Sequence, residues 1–188
     1  MSMPSVPFGS QRTITDAELA ARARTGGADA LGELYARYGD RVMAVAYRIT
    51  GSAQDAEDVL HDVFLGLPEA LGRYEERGAL GAWLRQLAAR VALTRLRAPS
   101  RKREVELSQM IDRASGNAPD ADAIGDRVAL AAALDHLPES LRVVFVLKAV
   151  EGHSHAEIAD MLRISTGASE VRLVRATKML RQLLGEPR

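Results

Sequence analysis

The chain has 188 residues, enough for one ordinary domain or two small ones, and 47% hydrophobic with 27% charged residues is the composition of a folded soluble protein. It contains no cysteine, which excludes a disulfide framework or thiolate metal site and makes a reducing compartment, the cytoplasm, the simplest home. Twenty-five bases balance 25 acids, a net charge of zero that on average argues against a nucleic-acid partner.

With only three Phe, four Tyr and one Trp, strands are disfavoured and an all-α protein is expected. No apolar run nears the ~18 residues that would span a bilayer, and the N-terminus lacks the basic start and apolar stretch of a signal peptide, so no membrane insertion is expected.

Residues 1–14, with Pro4, Pro7, Gly9 and Ser10, are expected to form a disordered tail. Thr15 and Glu18 have capping-box spacing, so a short helix starts there and stops at Gly26 and Gly27. Leu31, Leu34, Tyr35, Tyr38, Val42, Val45, Ala46 and Ile49 then recur at helical spacing up to Gly51.

A third helix, over 52–67, turns Ala56, Val59, Leu60, Val63 and Leu67 inward and Asp55, Asp58 and Asp62 outward, and Pro68, Gly72 and Gly78 mark an irregular connection after it. A fourth carries Trp83, Leu84, Leu87, Ala88 and Val91 inward and ends before Pro99. These helices make a first domain, 15–100. Residues 101–122, with Ser115, Gly116, Asn117 and Pro119, read as an interdomain linker.

A second domain, 123–186, is expected to hold four helices: one to Leu137, one that Pro138 opens and Gly152 ends, a short one behind the capping box Ser154 and Glu157, and a last one capped by Ser165 or Thr166. The fold class is therefore all-α, two small helical domains joined by a linker.

Charge is segregated along this plan. Residues 51–72 carry five acids (Asp55, Glu57, Asp58, Asp62, Glu69) and no Lys or Arg, while 80–103 carry seven bases (Arg85, Arg90, Arg95, Arg97, Arg101, Lys102, Arg103) and no acid. Such separation suggests two partners, one basic and one polyanionic. Gln86, Arg90 and Arg97 share one helix face suited to phosphates, and Trp83 could stack near a base, although a lone Trp is more often core.

Residues 155–174 have the layout of a helix-turn-helix, with the small Ala159 at the crossing point and a turn through Arg163 and Ile164. In that motif the second helix enters the major groove while the first crosses the backbone. His153, His155 and Glu157 fit no familiar zinc spacing, so no metal site is expected. No nucleophile, carboxylate pair or phosphate loop stands in a recognisable setting, so no catalytic residue, cofactor or small-molecule substrate is expected either. Two alternatives remain at this point. A stand-alone helix-turn-helix regulator would have no need of both an acidic and a basic face, and a protein-only adaptor would have no need of the basic run.

These residues resemble a known family. Leu34-Tyr35, the run Asp55-Ala56-Glu57-Asp58-Val59, Val63-Phe64-Leu65, Trp83-Leu84 and Arg95-Leu96-Arg97 are similar to the second region of extracytoplasmic-function (ECF) sigma factors of the sigma-70 family. Leu137-Pro138, Arg142, Val144-Phe145, Glu157-Ile158-Ala159, Leu162 and Arg175-Ala176 are similar to their fourth region.

The resemblance implies a non-enzymatic subunit that binds core RNA polymerase and directs promoter-specific transcription initiation. It implies docking on the clamp helices of the largest subunit through Asp55, Glu57, Asp58, His61 and Asp62, and on the flap of the second-largest subunit. It implies binding of melted minus-10 DNA by Arg73, Tyr74, Trp83, Gln86, Arg90 and Arg97. Reading of the minus-35 element falls to Ser165, Thr166, Ala168, Glu170, Val171, Arg172, Arg175 and Lys178. An anti-sigma factor is a further conceivable partner.

The chain departs from the family pattern at several positions: His61 stands where Gln is usual, Arg90 where Asn is usual, Thr94 where Asp is usual, and Arg163 at a turn position often held by Gly. Gly167-Ala168-Ser169-Glu170 replaces the common Gly-Thr-Val-Lys, with Ser169 at a usually apolar, inward position. A carboxylate at position 170 can accept from cytosine but is repelled by phosphate, so an unusual minus-35 preference or weak minus-35 dependence is expected.

Overall fold

A computed structural model describes residues 14–75, 79–97 and 121–185, with side chains from 128 onward in the last segment. In chain order the helices are α1 (Asp16–Arg24), α2 (Ala28–Thr50), α3 (Ala53–Leu65), α4 (Leu67–Leu71), α5 (Leu80–Arg97), α6 (Ala121–Asp135), α7 (Glu139–Phe145), α8 (His155–Leu162) and α9 (Thr166–Leu183). The described residues are helical or connecting, in two small domains, α1–α5 and α6–α9, as expected. Most of the expected tail and of the expected linker lies outside the described residues. Ile14 is ordered, its carbonyl accepting from Arg37 Nη1 at 2.9 Å, and residues 121 and 122 already belong to α6.

Local sequence accounts for most helix ends. Thr15 closes a capping box on α1: Glu18 N donates to its hydroxyl at 3.3 Å, and Thr15 N donates to the Glu18 carboxylate at 2.9 Å. Gly51 ends α2 at φ 67°, a left-handed conformation that glycine adopts without a Cβ clash. Pro68 does not merely interrupt the chain, as expected, but stands in the first turn of the separate short helix α4, where its missing N–H costs nothing.

The first domain is built around α2, whose buried residues Leu34, Val42, Val45, Ala46 and Ile49 face α3 and α5, while α1 lies against α2 and α4. Tyr38 donates its phenol to Asp16 across the α1–α2 contact. Burial, reinforced by that carboxylate, pushes the Tyr38 phenol up to about 12.

The second domain has its own cluster of Ala133, Leu134, Leu137, Leu141, Ala176 and Leu180, from α6, α7, α9 and the turn after α6. The helix expected from Pro138 to Gly152 is continuous but changes type, widening after α7 into a π turn, Val146–Val150. Such π turns are rare and often mark functional sites.

The two domains do not stand apart. Val143, Val144, Val146, Leu147 and Ile158 of the second domain belong to one apolar cluster with the buried residues of α1–α5. Polar contacts rim this junction. Arg142, only 8% exposed, donates from Nη2 to the Thr50 carbonyl at 3.0 Å, at the C-terminal end of α2 where carbonyls lack helical partners. Glu151, its side chain 2% exposed, accepts from Arg85 Nε of α5 at 3.3 Å. Tyr47 OH reaches Asp135 at 3.4 Å.

Candidate nucleic-acid interface

The α8–α9 pair has helix-turn-helix geometry. Ser154 and Glu157 close a second capping box, the Ser154 N–H donating to the carboxylate at 2.7 Å. That hydrogen bond holds the Glu157 carboxyl below its usual range. α8 ends at Arg163, which adopts φ 55° and ψ 47°. This is the sole positive-φ non-glycine among the described residues. The left-handed backbone places Cβ close to the following carbonyl, so Arg163→Gly is expected to stabilise the protein by about 0.5–1 kcal/mol, net of the entropy glycine loses. Urea denaturation measures this, and a lower midpoint would mean that the Arg163 side chain itself holds the turn.

Ser165 caps α9 by accepting from Ala168 N at 3.1 Å, so its own hydroxyl is committed to the helix start. Ser169 is fully buried, and its hydroxyl meets His155 Nδ1 at 2.9 Å. A polar residue at this inward position is therefore satisfied by a partner on α8. Thr166, Glu170, Val171, Arg175 and Lys178 stand exposed on α9, whereas Ala168 and Arg172 sit half-buried at its flank. Gly167 is open, with no atom within 4 Å of where a Cβ would be.

In the first domain Gln86, Arg90 and Arg97 are all exposed on one side of α5, where they were expected. Trp83 is half-buried at the start of that helix, its ring 5.0 Å from the Tyr74 ring and tilted by 51°. Arg73 is exposed and lies 3.7 Å from Glu69, a surface pair of little energetic weight. Residues 76–78, between Tyr74 and α5, are outside the described residues.

The acidic helix differs from its reading in the sequence. Glu57, His61 and Asp62 are exposed on α3, and Asp55 and Asp58 are half-buried. However, Arg95 of α5 reaches all three aspartates, with Nε 3.4 Å from Asp55, Nη2 hydrogen-bonded to Asp58 and Nη1 3.5 Å from Asp62. The acidic and basic segments are thus not wholly separate surfaces: one arginine of the basic run neutralises part of the acidic face. One further residue on this face was not singled out from the sequence: Leu65 is 72% exposed. Tyr35, counted with the inward period of α2, is instead 51% exposed and edge-on to Phe64 at 5.0 Å. A leucine three positions after Asp62, off the apolar stripe, was the available signal.

Among the described residues no group of three or more His, Cys, Asp or Glu could hold a metal ion, and no helix is long and apolar enough to cross a membrane. Two packed helical domains, one carrying a helix-turn-helix whose second helix exposes Arg175 and Lys178 and the other an arginine-faced helix, define an all-α protein of the helix-turn-helix class.

The sigma-70 region 2 family model matches residues 34–102 and the sigma-70 region 4 model matches 127–180. The ECF RNA polymerase sigma factor SigM of Mycobacterium tuberculosis is 30% identical over 182 residues, covering 97% of this chain and 91% of the relative. The RNA polymerase sigma factor CarQ of Myxococcus xanthus is 34% identical, covering 88% of this chain and 95% of its own. SigE of Mycolicibacterium smegmatis is 32% identical over 82% of this chain, which spans 61% of the length of that relative. Among solved structures, CnrH in complex with the cytosolic domain of CnrY superimposes with a TM-score of 0.51 at 29% identity, over 90% of this chain and 97% of that one. The chain belongs to the ECF sigma factors of the sigma-70 family. It is accordingly a sigma factor, which acts with RNA polymerase in promoter-directed initiation of transcription.

Proposed function

We propose a division of labour within this sigma factor. Residues 15–100 bind core polymerase through the α3 face and melted minus-10 DNA through Arg73, Tyr74, Trp83, Gln86, Arg90 and Arg97. Residues 101–120 link this unit to the helices from α6 onward, which read the minus-35 element through α9. The docking face combines Asp55, Glu57, Asp58, His61 and Asp62 with the exposed Leu65, an acidic surface with an apolar contact suited to a basic helical partner. On this reading the protein catalyses no reaction itself, works in the cytoplasm, and is a candidate for capture by an anti-sigma factor.

The observation that carries the assignment of α5 is the pairing of its arginines. Arg85 is held by Glu151 and Arg95 by the three aspartates of α3, whereas Arg90 and Arg97 have no acidic partner among the described residues. Cations that are not neutralised internally can displace counterions from DNA, and each phosphate contact on a single strand steepens the salt dependence by about 0.7. Arg90→Ala with Arg97→Ala is expected to impair open-complex formation on duplex promoters most at low salt and to make its salt dependence shallower by about 1.4, while polymerase affinity stays unchanged. Open-complex yields across a salt series measure this. Equal activity of variant and parent at every salt concentration would make these arginines ordinary surface charge.

A further inference from the structure

The exposed side of α9 carries two large aliphatic residues that neither folding nor the family resemblance accounts for together. Val174 is 68% exposed and Val171 50% exposed, although α9 buries Ser169, Ala176 and Leu180 on its opposite side. β-branched residues are mediocre helix formers, so propensity does not explain a pair of them one turn apart in solvent. A single exposed valine would need no account. Here, however, Gly167, Glu170, Val171 and Val174 occur at i, i+3, i+4 and i+7 and so lie along one helical face. Val171, Val174, Arg175 and Lys178 are all exposed, so a cationic surface borders the apolar pair. That border favours a polyanion over an apolar protein partner.

In the major groove an apolar side chain has one distinctive partner, the C5-methyl group of thymine, because the other base edges there are hydrogen-bonding groups. We infer that Val171 and Val174 form a methyl-reading patch that selects thymine within the minus-35 element, with Val174 a specificity-determining residue beyond those the resemblance nominates. The inference rests on the proposed role of α9 in reading that element. The open space over Gly167 leaves room for close approach of the helix to the duplex. Glu170, an acceptor suited to cytosine N4, stands four residues before Val174. The element selected by this protein is therefore expected to present thymine, and cytosine beside it, on the strand facing α9.

The test uses the full chain with core polymerase. A minus-35 library first defines the preferred element, and each thymine in it is then replaced by deoxyuridine, which removes the methyl group and nothing else. Wild-type holoenzyme is expected to lose about fourfold in affinity at one or two thymines, the effect of one buried methyl-sized group. Val174→Ala and Val171→Ala holoenzymes should bind more weakly to the thymine duplex and show less than about twofold discrimination between thymine and uracil. Val174→Thr keeps one methyl and should retain part of the discrimination. Equal loss on uracil substitution in wild type and both valine variants, or no loss in any, overturns the methyl-reading patch. Binding that ignores the upstream sequence altogether would instead overturn the minus-35 role of α9, an outcome the library step reveals before any uracil is introduced.

Discussion

Asp58→Arg combined with Asp62→Arg is expected to abolish detectable binding to core polymerase. Both residues lie on the α3 face, with Asp62 half exposed, and a basic partner would meet two guanidinium groups in place of two carboxylates. The same change also confronts Arg95, which contacts both aspartates, so local repulsion has to be separated from lost docking. Partly exposed ion pairs contribute roughly 0–1 kcal/mol each, so the domain should remain folded. Adding Arg95→Glu restores opposite charges within the cluster and should recover any lost thermal stability without recovering polymerase affinity. Titration against core enzyme, beside thermal melts of each variant, reads both quantities. Unchanged affinity in the double variant would remove α3 from the docking surface. Recovered affinity in the triple variant would reduce the effect to local misfolding.

Arg142→Ala is expected to loosen the packing of the second domain on the first. Arg142 is buried and donates to Thr50 O at 3.0 Å and to Ile49 O at 3.5 Å. Truncation would leave those carbonyls buried without that donor, a cost of roughly 1–3 kcal/mol for a charge-assisted contact. Gly51 adjoins the same guanidinium: a Cβ there would fall 2.6 Å from Nη2, on a backbone already at φ 67°. Small-angle scattering should show a larger radius of gyration for Arg142→Ala, and hydrogen exchange should quicken at the end of α2 and in α7. Arg85→Ala, which removes the partner of Glu151, should act in the same direction. Wild-type dimensions and exchange in Arg142→Ala would show that the apolar contacts alone hold the junction.

Much of the architecture was legible because it is written in local chemistry. Thr15 with Glu18, Ser154 with Glu157, and Gly51 mark helix ends through hydrogen bonds or backbone preferences that span four residues or fewer. The apolar period of α2 and α3 identified the inward faces, and Val59, Val63, Val42 and Val45 are indeed buried. The helix-turn-helix followed from a cap, a small residue at the crossing and a second cap. Arg163 stood out against the family resemblance, at a turn position often held by Gly, and the structure gives it a left-handed backbone. Where local rules compete, the sequence reading failed: Pro68 signals both a break and a helix start, and α4 shows the second role. The π turn after α7 was likewise invisible, since periodicity over five residues does not distinguish it from α-helix.

By itself, then, the sequence determined the helical class, the order of the helices, their capped ends, the side each turns inward and the segregation of acids from bases. Tertiary structure alone decided what lies opposite a charged or polar side chain. Arg95 belongs to the basic run yet serves three aspartates 33 to 40 positions earlier. Arg142, a lone base within an apolar run, proved to hold the end of a helix more than 90 residues away, and Ser169 found its partner in His155. Helical periodicity fixes the angle at which a side chain leaves its own axis. It carries no information about which other helix crosses at that angle, and short-range electrostatic and hydrogen-bond partners depend on that crossing.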